Sequence, residues 1–100
     1  MSASEEAFQS QGTVHSGIDK TLSERGSRYG TLTANAQISQ GLKSVMQESP
    51  NWTWLSVDKK EALDQIASKI SRILSGDMNY VDNWHDIIGY AKLIEDSLER

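Results

Sequence analysis

Residues Ser56–Gly76, SVDKKEALDQIASKISRILSG, decide the fold class. Leu63, Ile66, Ile70, Ile73 and Leu74 recur in 3-4-3 steps, the stripe that a helix turns toward a core. The Ser56 hydroxyl is placed to cap the first turn. Asp58 sets an acid where the helix dipole favours one. Gly76 directly follows the last apolar residue and can stop the helix. Ile70, in the middle of the stripe, is an expected core residue.

The flanks read the same way. Upstream, Ser49-Pro50-Asn51 is a break. Before it, a helix is predicted over Leu32–Gln47 with Thr31 as its N-cap. Its apolar positions are Leu32, Ala34, Ala36, Ile38, Leu42, Val45 and Met46. Gly41 either weakens that helix by up to about 1 kcal/mol or marks close packing. Between break and stripe, Trp52-Thr53-Trp54-Leu55 either caps one end of the core or offers a stacking platform for a ring. Further upstream a short helix is expected over Gly17–Glu24, with Ile18 and Leu22 on one face and Gly26 as its end. Ser27-Arg28-Tyr29-Gly30 then reads as a glycine-bounded loop.

Downstream, Gly76-Asp77-Met78-Asn79 is a tight loop, so the helix that follows it should run antiparallel to its predecessor. That helix is predicted over Tyr80–Leu98, with Trp84, Ile87, Ala91, Ile94 and Leu98 as its apolar stripe. No stretch alternates as a strand does. The expectation is an all-α protein, a compact three- to four-helix bundle. Residues 1–16 read as a flexible N-terminal tail and residues 17–100 as the helical domain.

Composition narrows the function classes. One hundred residues, 37% of them hydrophobic, make a small core, so a homo-oligomer is expected. Gly89 and Leu93 suggest a second surface on the last helix. The absence of cysteine excludes a disulfide scaffold, a thiol nucleophile and a zinc site with thiolate ligands. The net charge is −4, and no segment carries a clustered Lys/Arg stripe, which argues against nucleic acid. No basic amphipathic helix and no apolar run of about 20 residues points to a membrane. The acidic, polar start is unlike a signal peptide, which makes the cytoplasm the expected compartment.

Three polar groups stand out. On a helical wheel Asp82 and Asp86 fall together with Gly89 and Leu93, nearly opposite the apolar stripe, with Tyr90 at the flank. Two carboxylates four residues apart repel slightly and call for a cation, a basic side chain or water. With Asp77 they form a candidate set for a hard divalent ion such as Mg²⁺. Lys69 and Arg72 lie three apart on the preceding helix. They serve either as salt-bridge partners for those acids or as a phosphate grip. Arg25, Arg28 and Tyr29 are the third group, suited to an anion and a flat ring. No Walker-type phosphate loop and no paired-histidine zinc motif is present, and nothing marks a serine as a nucleophile beside His15 or His85. Any hydrolysis would have to be metal-assisted.

Taken in order, Arg25-x-x-x-Tyr29-Gly30, Lys69-x-x-Arg72 and Asp82-x-x-x-Asp86-x-x-Gly89-Tyr90-Ala91 resemble a family of small helical proteins of unknown function. These DUF6378-like proteins are encoded by bacteriophages and prophages. The resemblance covers roughly residues 20–98, and the stretch DNWHDIIGYA, residues 82–91, is its most specific part. That family commonly has an acid after the Tyr-Gly pair, where this chain has Thr31. The resemblance implies phage origin, a bacterial host cytoplasm, a helical fold and a shared polar site. A more distant likeness is to the MazG-type all-α nucleoside triphosphate pyrophosphatases, which gather acids from adjacent helices around Mg²⁺. Here the partner helix offers Lys69 and Arg72 where acids would be needed, a departure that argues against the same chemistry.

The expected function is therefore a phage-type accessory protein that binds a small nucleotide-like ligand or a host protein, needing no cofactor. Arg28, Tyr29, Lys69, Arg72, Asp82, Asp86 and Tyr90 are its candidate ligand-binding residues. One alternative is an Mg²⁺-dependent pyrophosphohydrolase with Asp77, Asp82 and Asp86 on the metal. Another is a protein-binding inhibitor of a host defence system.

Overall fold

The computed structural model describes residues 16–98. The expected tail lies outside them, except for Ser16, which begins the first helix. Four helices follow one another: α1 (Ser16–Tyr29), α2 (Leu32–Gln47), α3 (Val57–Ser75) and α4 (Val81–Leu98). A single 3₁₀ turn, Trp52–Trp54, lies between α2 and α3. No strand occurs among the described residues, so the protein is all-α. No helix among them is long and apolar enough to cross a membrane.

The caps form as the sequence indicates. Thr31 Oγ1 accepts from the Ala34 N–H at 3.2 Å, and Ser56 Oγ from the Lys59 N–H at 3.4 Å. The Gly76 N–H closes the last turn of α3 on the Arg72 carbonyl at 2.9 Å. One boundary is corrected. α1 does not stop at Gly26 but runs through Ser27, Arg28 and Tyr29, so the expected loop is its last turn. The stop is Gly30, the only described residue with a left-handed backbone, φ +81°, whose N–H donates to the Gly26 carbonyl at 2.8 Å. The extra turn is stabilised from outside α1. The Asp77 N–H donates to the Arg28 carbonyl at 2.7 Å, and the Ser75 hydroxyl donates to the Tyr29 carbonyl at 2.6 Å. Local propensity favoured stopping at Gly26, and α3 supplied the missing partners for the last carbonyls.

The central helix is α3, packed against both α2 and α4. Its most deeply buried residues are small. Ala67 is 2% exposed and Ser71 is fully buried, while Leu63 and Leu74 from the expected stripe stay exposed. Ile66, Ile70 and Ile73 are half-buried. Ile70→Ala is accordingly expected to cost about 1–2 kcal/mol, below the range for a fully enclosed isoleucine, read as a fall in thermal melting temperature.

Three further points are decided by the structure. Gly41 has nothing within 4 Å of where a β-carbon would stand, so it marks no close packing. Trp54 is 85% exposed and caps nothing, while Trp52 is half-buried with Lys60 Nζ 6.0 Å from its ring centroid. On α4 the packed face is rotated from the expected stripe. Asn83, Asp86, Ile87, Tyr90 and Ile94 turn inward, and Trp84, Ala91 and Leu98 are exposed. Asn83, which the apolar pattern passed over, is 2% exposed.

Candidate functional site

The site grows from a contact between two helix ends. Gly30 and Gly76 let the ends of α1 and α3 meet backbone to backbone. A β-carbon on Gly30 would overlap the Ser75 carbonyl, and one on Gly76 the Arg28 carbonyl. This contact sets Tyr29 beside the last turn of α3. The Arg72 guanidinium lies 4.5 Å from the centre of the Tyr29 ring, and Arg25, one turn back on α1, lies 5.3 Å from it. The Tyr29 and Tyr80 rings meet edge to face, 6.1 Å apart at 68°. Arg28 lies 5.1 Å from the Tyr80 ring centre.

Three guanidinium groups thus share two tyrosine rings. Ring quadrupoles and the negative ends of α1 and α3 attract them there. Among the described residues none of the three forms an ion pair; the salt bridges involve Lys69 and Lys92. Hydrogen bonding to Asp82 pushes the Tyr80 phenol above its ordinary value. Burial and the Asp82 charge add to that shift, and Arg28 opposes it.

Beside Arg72 a cavity of 150 Å³ opens between α2 and α3. Asn35, Ser39, Gln40, Ser68 and Ser71 give it polar, uncharged walls, with Leu32 and Ala36 completing it. The seam below it is also polar. Ser71 Oγ lies within hydrogen-bond reach of Asn35 Oδ1 and of the Ser68 carbonyl. Lys43 Nζ donates to Ser68 Oγ at 2.9 Å. Asp64 Oδ1 and Asn83 Nδ2 are buried without a hydrogen-bond partner.

The sequence-derived residues divide into separate groups. Arg28, Tyr29 and Arg72 come together, joined by Arg25. Lys69 and Asp86 form a salt bridge of 3.3 Å across α3 and α4. Of the two roles open to this pair, Lys69 takes the salt bridge, while Arg72 lies against the Tyr29 ring. Asp82 sits next to Tyr80. Asp77 Oδ1 accepts from the Asn79 N–H at 2.9 Å and shapes the loop. Among the described residues no three His, Asp or Glu side chains gather as a metal site. Tyr90 is half-buried one turn beyond Asp86 and takes no part in the cation–ring contacts.

Asn35, Ser39, Gln40, Lys43, Ser68, Ser71 and Tyr80 were not anticipated. A signal was present for four of them: Asn35, Ser39 and Lys43 step by four along one face of α2, as do Ser71 and Ser75 on α3. Polar residues at helical spacing read as a solvent face until the partner helix is known to be equally polar.

No protein-family model matches the chain, and neither a curated protein nor a solved structure matches it.

Proposed function

We propose that this protein binds a small nucleotide-like ligand at the junction of α1, α2 and α3. It would do so as a homo-oligomer, in the role of the phage-type accessory proteins its motif resembles. One observation carries this reading: Arg25, Arg28 and Arg72 converge on Tyr29 and Tyr80 without an acid partner among the described residues. A guanidinium presents a rigid fork of donors matched to phosphate oxygens. Ring faces hold these forks in place before any ligand arrives, which lowers the ordering cost of binding. The adjoining cavity suits the uncharged, hydrogen-bonding part of such a ligand, since its walls offer hydroxyls and amides.

The expected roles follow. Arg28 and Arg72 grip phosphate, with Arg25 as a third fork, while Tyr29 and Tyr80 position them. Lys69 and Asp86 neutralise one another and brace the α3–α4 hairpin.

Titration calorimetry with a panel of nucleoside mono-, di- and triphosphates, with and without Mg²⁺, tests this reading. Arg72→Ala is expected to weaken binding at least tenfold, about 1.4 kcal/mol. Asp86→Asn should leave it within about twofold, since that carboxylate faces Lys69. Equal losses in both variants, or no nucleotide binding by the unaltered protein, would sink the proposal. Mg²⁺-dependent nucleotide turnover would replace it with the pyrophosphohydrolase.

A further inference from the structure

Beside the face of α4 that packs on α3, Val81, Trp84, Ile88, Ala91 and Leu98 follow one another in alternating three- and four-residue steps, with Glu95 at the remaining position. Val81 is 68% exposed, Trp84 51%, Ile88 65% and Leu98 64%. The indole is fixed in place, because Nε1 donates to the Met78 carbonyl at 3.0 Å. A large apolar side chain already ordered in the free protein loses little entropy on being covered. Glu95, the one charge in the row, lies 3.8 Å from Lys92 one turn back. This spacing is that of a helix–helix seam. The side holding Gly89 and Leu93 offers only one large apolar residue, so this row is the larger apolar surface of the helix.

We infer that this face packs against the same face of a second copy, antiparallel across a two-fold axis. Three features of the row select that occupant and that direction. First, the row is complementary to its own reverse. Ile88 lies against the partner subunit's Ala91, and Val81 against the partner subunit's Leu98. Trp84 then covers the aliphatic stem of the partner subunit's Glu95. Large meets small at the centre, and each contact occurs twice, as an isologous interface requires. Second, the parallel arrangement would stack Trp84 on its equivalent and bring two Glu95 carboxylates together, a like-charge contact. Third, covering this row and its flanks on two copies removes on the order of 1,200 Å² from water, enough for a specific interface. The inference rests on the homo-oligomer clause of the proposed function and is independent of its ligand clause.

The chain has no cysteine, so introduced thiols report cleanly. Val81→Cys and Leu98→Cys proteins, mixed and mildly oxidised, are expected to give a cross-linked pair containing one of each. Either protein alone should not cross-link, because like positions stand about 25 Å apart along antiparallel helices. Light scattering should give twice 11.1 kDa for the unaltered protein at micromolar concentration. Ile88→Asp, with helicity retained by circular dichroism, should give 11.1 kDa. Cross-linking of either single variant alone would overturn the antiparallel register. A multimeric mass with no cross-link in the mixture, or an unchanged mass in Ile88→Asp, would overturn this face while leaving the homo-oligomer clause standing. A monomeric mass for the unaltered protein would overturn both, and calorimetry would still test the ligand clause.

Discussion

Gly76→Ala is expected to lower the stability of this protein by about 3 kcal/mol, the upper part of the range for overpacking a tight contact. The cause is steric and local. The new methyl group would meet the Arg28 carbonyl and the Gly30 nitrogen, both backbone atoms that cannot swing aside. Relief requires the end of α1 to move off α3. That movement breaks the Asp77-to-Arg28 and Ser75-to-Tyr29 hydrogen bonds, which satisfy the last carbonyls of α1. Two costs therefore arrive together, the displaced backbone and the orphaned acceptors. Thermal unfolding at fixed protein concentration should show a melting temperature lower by roughly 10–20 °C. Gly41→Ala is the matched control. It sits inside α2 with open space around it, so alanine there should raise stability by about 0.5–1 kcal/mol. A Gly76→Ala melting temperature equal to that of the unaltered protein would show that the helix ends do not touch. The ligand clause depends on the same contact, since Tyr29 reaches Arg72 only while α1 is docked.

How far the sequence carried the structure depended on whether a feature was local. The caps at Thr31 and Ser56 involve a side chain and a backbone N–H three residues apart, and both were legible. So was the α3–α4 hairpin, because the Gly76–Asn79 loop leaves little room for another direction. The α1 boundary was not. Gly26 and Gly30 are both plausible stops by propensity, and only the docking of α3 on the last carbonyls of α1 decides between them.

The site divides along the same line. Arg28, Tyr29 and Arg72 were singled out for chemical type, and the structure places them together. Their shared contact depends on the crossing of α1 over α3. Lys69 with Asp86 was one of several pairings the hairpin allowed. Spacing allows Arg72 either those acids or an anion, and the docking of α1 sets it against the Tyr29 ring. The α2–α3 seam was missed for a physical reason. Hydrophobic periodicity finds faces buried against apolar neighbours. Here a polar face meets a polar face, and burial is satisfied by hydrogen bonds between side chains.

That seam supports the second large prediction. Ser71 is fully buried where α3 meets α2, within reach of Asn35 Oδ1 and the Ser68 carbonyl. Ser71→Leu places a large side chain where two helices approach across small residues. It also leaves Asn35 without its donor. The overpacking cost and the lost hydrogen bond together give an expected destabilisation of about 3 kcal/mol or more. Ser71→Ala removes the hydrogen bond with almost no change of shape, so about 1 kcal/mol is expected. The difference between the two variants, rather than either value alone, measures how closely α2 and α3 are held. Urea unfolding at one protein concentration reads both, provided the slopes match that of the unaltered protein. A Ser71→Leu protein as stable as Ser71→Ala would mean that the helices separate freely at this level. The 150 Å³ space beside Arg72 would then be a surface dent with no fixed walls, and a ligand could gain no specificity from it. A large penalty for leucine alone would establish the opposite: Ser71 holds α2 and α3 at a fixed separation, and the Asn35, Ser39 and Ser68 side chains that line the cavity stand at fixed positions, as the proposed ligand site requires.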